Sequence, residues 1–155
     1  MNTLHVIALN IPYPPNYGGV IDIYYKLLAL HRLGVRLILH CYEYERPRAP
    51  ELERICAEVH YYPRRTGLLA NFTLEPYNVA GRRNELLVQR LLQDDAPILF
   101  EGLHTCFCID DPRLAGRVKV FRSCNIEHDY YRAIGQAERH PLRRLFYRLE
   151  AWRFR

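Results

Sequence analysis

No apolar run in this 155-residue chain approaches the ~20 residues that a membrane-spanning helix needs, so a soluble domain, free to touch a membrane surface, is expected. The apolar start is short and has neither a basic lead nor a small-residue cleavage site, and five cysteines are an odd number. Both features argue against a secreted disulfide framework and for a reduced, cytoplasmic setting, peripheral at the inner membrane face if it meets a membrane at all. There is no internal repeat, low-complexity tract or linker, which leaves one domain, and the 49% hydrophobic content is enough for a normal core. His104, Cys106 and Cys108 form H-x-C-x-C, but the second ligand pair of a zinc site is missing, so no metal is expected. Those cysteines, beside Phe107 and Ile109, read as small buried apolar residues.

Acidic residues are scarce at one end. Of 22 basic and 17 acidic residues, six arginines (Arg139, Arg143, Arg144, Arg148, Arg153 and Arg155) and Glu150 alone fall in 139–155, leaving 16 of each elsewhere. So local a patch argues against nucleic acid as a partner, because a nucleic-acid groove runs basic residues and stacking aromatics along a surface. It suits a partner domain, anionic lipid headgroups or a solvated helix face.

What is present is organised around Asn10-Ile11-Pro12-Tyr13-Pro14-Pro15-Asn16-Tyr17-Gly18-Gly19. The apolar run 4–9 enters it as a strand, and three prolines then rule out a continued ladder. From Val20 the apolar residues Ile23, Tyr24, Leu27 and Leu28 follow at helical spacing, and Gly34 is a good stop. A second strand is expected over 35–41, a short helix over 50–57, a third strand over 59–62 and a helix over 84–94. Further strands are expected over 97–100 and 117–121, then helices over 126–138 and from Pro141 onward. The segment 63–81 mixes apolar residues with breakers, as a flap or part helix would. Short apolar strands alternating with helices predict an α/β, Rossmann-like doubly wound, mostly parallel sheet with helices on both faces.

Ligands of such sheets bind at the carboxyl ends of the strands. Three polar stretches fall there: Asn16 to Gly19, Glu101 to His104, and Arg122 to His128. Glu101 and Glu127 suit binding of sugar hydroxyls, and His104 and His128, each within three residues of one of them, suit general-base or orienting roles. Gly18 and Gly19 precede a helix, where bare main-chain N–H groups favour anions; no GxGxxG fingerprint is present. Cys124 with His128 could form a thiol and base pair, but nothing in the sequence depresses the thiol pKa. Tyr130 and Tyr131 read as packing residues.

Residues 11–19, followed by Leu30-His31-Arg32-Leu33-Gly34-Val35, resemble the opening of family-4 retaining glycosyltransferases, with its proline, two glycines and L-x-x-x-G-H-x-V. Glu75-Pro76-Tyr77-Asn78-Val79, Phe100-Glu101-Gly102-Leu103-His104 and Arg122-Ser123-Cys124-Asn125-Ile126-Glu127-His128-Asp129-Tyr130-Tyr131 agree in order. The last, similar to R-x-H-N-x-E-H-x-Y-Y, is the most specific. Two positions depart: Cys124 stands where the family commonly has a histidine near the reacting sugar, and Val35 follows Gly34 directly, so the G-H histidine is missing.

The resemblance implies two Rossmann-like domains of the GT-B type facing a cleft, with residues 1–155 as the N-terminal acceptor-side domain and a nucleotide-sugar domain beyond Arg155. It implies sugar transfer from a nucleotide-sugar, used as co-substrate with no other cofactor, to a glycan or lipid-linked acceptor in cell-surface polysaccharide biosynthesis. By the same implication His104, His128 and Glu127 are catalytic, Gly18 and Gly19 approach the donor diphosphate, and Asn16, Tyr17, Glu101, Cys124 and Asn125 bind substrate. A degenerate, non-catalytic glycan-binding module is the alternative, which Cys124 favours.

Overall fold

In a computed structural model of the chain, which describes residues 2–67 and 73–155, five strands form one parallel sheet. They are β1 (Thr3–Ala8), β2 (Arg36–Glu43), β3 (Glu58–Pro63), β4 (Ile98–Glu101) and β5 (Lys119–Arg122), in the order β3-β2-β1-β4-β5. This is the Rossmann-like α/β arrangement, and the strand order reverses between β1 and β4. The helices are α1 (Gly18–Arg32), α2 (Tyr77–Ala80), α3 (Glu85–Leu91), α4 (Glu127–Ala137) and α5 (Pro141–Arg153), with 3₁₀ turns at Pro50–Arg54, Leu103–Cys108 and Pro112–Leu114. Among the described residues no helix is long and apolar enough to cross a membrane.

Alternation along the strands builds two cores, one on each face of the sheet. Val6, Ala8, Leu37, Leu39 and Cys41 point to the face covered by Ile23 and Leu27 of α1 and by Leu52 and Cys56. Ile7, Tyr42, Tyr62, Ile98 and Phe100 point to the other, covered by Leu87, Val88 and Leu91 of α3 and by Cys108 and Leu114. Cys106 packs against this second core, so the H-x-C-x-C cysteines are packing residues. All five cysteines are free thiols. A third cluster joins α4 and α5 to the rest through Val79, Tyr131, Ala151 and Phe154. Glu150, the lone acid of the arginine-rich segment, is fully buried there and accepts from the Tyr77 N–H that opens α2, at 2.9 Å.

Helix α1 starts at Gly18, two residues ahead of the expected Val20, because Tyr17 is extended and its carbonyl already accepts from Val20 and Ile21. Both glycines therefore sit in the first helical turn. Its far end closes as expected, with Gly34 N–H on the His31 carbonyl and Val35 N–H on that of Leu30. Helix α3 is shorter than the expected 84–94; Asn84 caps it, accepting from the Leu87 N–H. The 63–81 segment contains α2, while Leu68, Leu69 and Phe72 lie outside the described residues.

Candidate functional site

The connections that follow β1, β3, β4 and β5 meet in a pocket of about 410 Å³ at the carboxyl ends of the strands. The β1 side supplies Leu9, Tyr17 and Gly19; the stretch after β3 supplies Arg64, Asn78 and Arg82. His104 comes from the turn after β4, and Cys124, Asn125, Glu127, Tyr130 and Tyr131 from the β5–α4 connection and the first turns of α4. Its position at the reversal of strand order is where open α/β sheets bind ligands.

Unmet polar groups concentrate here. Six buried side-chain nitrogen or oxygen atoms have no hydrogen-bond partner among the described residues, and four of them, Arg64 Nε, His104 Nδ1 and both oxygens of Glu127, belong to residues lining this pocket. Leaving one such group unmet costs ~1–3 kcal/mol, so a cluster of four marks a surface shaped for something other than stability. Glu127 is only 4% exposed, and burial pushes its carboxyl pKa above the usual range. His104 Nε2 lies 3.7 Å from Glu127 Oε2, within ion-pair reach but beyond hydrogen-bond distance. Burial first, then the charges of Arg82 and Arg64, push His104 down to about 3, which keeps the imidazole neutral. A neutral imidazole with an open ring nitrogen can hold a hydroxyl, and the neighbouring carboxylate of raised pKa is the group that can accept its proton.

Beneath the pocket a four-charge cluster fixes the loops. Glu101, the last residue of β4 and fully buried, meets Lys26 of α1 at 2.6 Å and Arg122 of β5 at 3.6 Å, while Asp22 of α1 meets Lys26 at 3.1 Å and Arg122 at 3.0 Å. Arg122 also donates to Cys124 Sγ at 3.1 Å, so the cluster ties the β5 connection to α1. Gly102, at φ +83°, lets the chain turn sharply out of β4; a Cβ there would sit 3.6 Å from His104 Nδ1 and 3.7 Å from Cys124 Sγ.

Six sequence-expected site residues, Tyr17, Gly19, His104, Cys124, Asn125 and Glu127, are brought together in the pocket lining. Glu101 lies below it as a buried support, Gly18 is exposed at the start of α1, and Asn16 is exposed and accepts from Arg46 at 2.8 Å. His128 is outside the lining, with Nε2 3.5 Å from Asp129. Sequence reasoning missed Arg64, Asn78 and Arg82. Tyr131 does pack, stacked on Phe154 at 5.2 Å, but its hydroxyl also accepts from Asn78 Nδ2 in the pocket wall.

Two glycines should respond oppositely to substitution. A Cβ on Gly19 would meet only Tyr17 Cε2, at an ordinary 3.7 Å, so Gly19→Ala is expected to leave urea-unfolding stability within ~0.5 kcal/mol of the parent. A Cβ on Gly81 would lie 2.6 Å from the Arg65 carbonyl oxygen, so Gly81→Ala must push apart the strands of chain that carry Arg64 and Arg82 and is expected to cost about 2 kcal/mol.

The fold and the pocket define an α/β domain with an open pocket at its strand ends. Over 164 aligned residues the chain is 29% identical to an uncharacterised 44.6 kDa protein in the cps region of Klebsiella pneumoniae. The match covers 100% of this chain and 42% of that protein, so the chain spans less than half the length of the curated relative it matches. No protein-family model matches the chain. No solved structure matches it.

Proposed function

We propose that the chain is the acceptor-side half of the cleft of a sugar-nucleotide-dependent glycosyltransferase acting in cell-surface polysaccharide assembly. The observation that carries this reading is Glu127, a buried carboxyl with neither oxygen bonded, facing neutral His104 across an open pocket at the reversal of strand order. That pair suits the recognition and deprotonation of a sugar hydroxyl. The start of α1 has no side-chain cap and no acid in its first turn, so the Gly18 and Gly19 N–H groups remain available to a donor phosphate. The family resemblance of the 122–131 motif and the cps-region relative agree with polysaccharide biosynthesis. A second domain would close the cleft and hold the nucleotide. The α5 face that carries Arg143 and Arg144 with exposed Leu142, Leu145 and Trp152 suits that domain or an anionic membrane surface.

The test is transfer from a panel of nucleotide-sugars to lipid-linked and free glycan acceptors by the full-length protein. Glu127→Gln and His104→Ala are each expected to lower the rate at least tenfold, while His128→Ala, outside the pocket lining, stays within twofold. If the parent binds glycan but transfers nothing, the degenerate binding module, which Cys124 in place of the family histidine favours, takes the place of this reading.

A further inference from the structure

Four of the eight buried or half-buried arginines among the described residues meet a carboxylate, Arg36 with Glu58, Arg117 with Asp94, Arg122 with Asp22 and Arg153 with Glu150, while Arg46 and Arg90 are held by neutral acceptors. The remaining two stand in the wall of the pocket. Among the described residues no carboxylate lies within ion-pair distance of Arg82 or Arg64, and residues 68–72, Leu-Leu-Ala-Asn-Phe, contain no acid. Glu127, in the same pocket, bonds to neither.

Arg82 is 4% exposed. Its guanidinium is aimed by main-chain carbonyls, with Nε and Nη2 donating to Leu9 O at 3.1 and 2.9 Å and Nη1 to Asn78 O at 2.6 Å. It also lies 5.6 Å from the Tyr42 ring centroid. These three bonds leave two of the five guanidinium N–H groups uncommitted. Burial, then the like charge of Arg64, pull its pKa down to about 10, so it is charged at neutral pH. Arg64 sits over the Tyr44 ring at 4.1 Å, donates through Nη2 to Asn78 Oδ1 and leaves its buried Nε unbonded. Two like charges converging in a buried wall without a counter-ion oppose folding, and a fold that needed only packing would have been served by apolar side chains.

We infer that Arg64 and Arg82 form an oxyanion site for the acceptor, so that the group entering this pocket carries a phosphate or a carboxylate next to the hydroxyl that reacts. Planar guanidinium donors match both oxyanions bidentately. The uncommitted N–H groups of Arg82 and the open Nε of Arg64 supply the donors, and Asn78, bonded to both arginines and to Tyr131, fixes their spacing. A phosphate would belong to a lipid-linked or phosphorylated sugar, a carboxylate to an acidic sugar. The acceptor assignment rests on the transfer reading above, whereas the oxyanion site does not.

Inorganic phosphate, pyrophosphate, glucuronate and neutral glucose are titrated into the 155-residue chain, with binding read from arginine side-chain NMR shifts and thermal unfolding. Saturable binding of phosphate or pyrophosphate, or of glucuronate, with glucose silent, is expected, and the anion that saturates identifies the source. Arg64→Gln should weaken it at least tenfold with unfolding temperature not lowered, and Arg139→Gln, on the remote arginine-rich segment, should not. Arg82→Gln should abolish binding, but because Arg82 is buried the decision rests on Arg64. Absence of saturable anion binding, or binding indifferent to Arg64→Gln, overturns the site. In the full-length protein Arg64→Gln should raise KM for the acceptor about tenfold and leave KM for the nucleotide-sugar unchanged; a rise for the nucleotide-sugar instead overturns the acceptor assignment. If anion binding stands and no transfer is found, the transfer reading alone has failed.

Discussion

Replacing Lys26 with methionine is expected to cost the fold about 3 kcal/mol, or ~10 °C in unfolding temperature for a chain of this size. Glu101 is fully buried, and among the described residues the Lys26 ammonium at 2.6 Å is its one direct hydrogen-bonding partner, its second oxygen having none and lying 3.6 Å from Arg122. Methionine matches the lysine stem in length and removes the charge, so the carboxylate stays in the interior without its partner. The residual pull of Arg122 places the loss at the low end of the ~3–5 kcal/mol found for broken buried pairs. Removing both charges together should undo most of the damage: Lys26→Met with Glu101→Leu is expected to lie within ~1 kcal/mol of the parent. Urea unfolding of the parent, both single variants and the double variant measures this as a cycle. A Lys26→Met protein as stable as the parent would mean that Arg122 and Asp22 carry the cluster by themselves. The effect extends to the pocket, because the same Arg122 holds Cys124 and anchors the connection that delivers Asn125 and Glu127.

The strands and their order of use were legible because short apolar runs at period two and apolar stripes at helical spacing alternate along the chain. The three polar stretches at strand ends followed from that alternation, and six of their residues do meet in one pocket. Glu101 shows the limit of this reasoning: one residue of strand length separates an exposed loop carboxylate from a buried support, and strand ends are the least certain feature of a sequence reading. Arg64 and Arg82 were illegible for a different reason. An arginine held by main-chain carbonyls, as Arg82 is, or by a side-chain amide, as Arg64 is, looks in sequence like any surface arginine, and only the folded β1 and α2 connections bring Leu9 and Asn78 to their donors. The buried histidines were hidden in the same way. His5, His40 and Tyr62 are separated by 35 and 22 residues, and lie on one sheet face only once β1, β2 and β3 have paired in register.

Those histidines are expected to make the protein lose stability as pH falls below about 6.5. Arg90 donates to the Tyr62 hydroxyl at 3.1 Å, Tyr62 to His40 Nδ1 at 2.8 Å, His40 Nε2–H to His5 Nδ1 at 2.9 Å, and His5 Nε2–H to Asp94 at 3.0 Å. Every donor and acceptor in this chain is matched only if both imidazoles are neutral, which fixes their tautomers. A proton added to His40 would land on Nδ1, where Tyr62 already donates, and would break the run. Burial holds His40 well below the usual histidine range, lowers His5 and His60 less, and pushes His104 down to about 3. Each is a base whose pKa is depressed on folding, so its contribution is present above the unfolded value near 6.5 and is lost as pH falls toward the native value. Near pH 5 the unfolded chain holds a proton on each of these side chains, while folded His104 holds none, so His104 contributes a slope approaching 1.4 kcal/mol per pH unit and His40 adds to it in the same direction. Between pH 8 and pH 5 His104 alone is expected to remove about 2 kcal/mol, and His40 more in the same direction. Glu127 works in the other direction, since its raised carboxyl pKa makes the folded state the better proton acceptor at acid pH, and this offsets part of the loss. Urea unfolding at pH 8, 6.5 and 5 checks the slope, and His104→Gln should lower it by the share of one histidine while leaving the Tyr62–His40–His5–Asp94 chain intact. A stability that is flat from pH 8 to pH 5 would show that these imidazoles accept protons without leaving their places, and the neutral chain of hydrogen bonds would have to be redrawn.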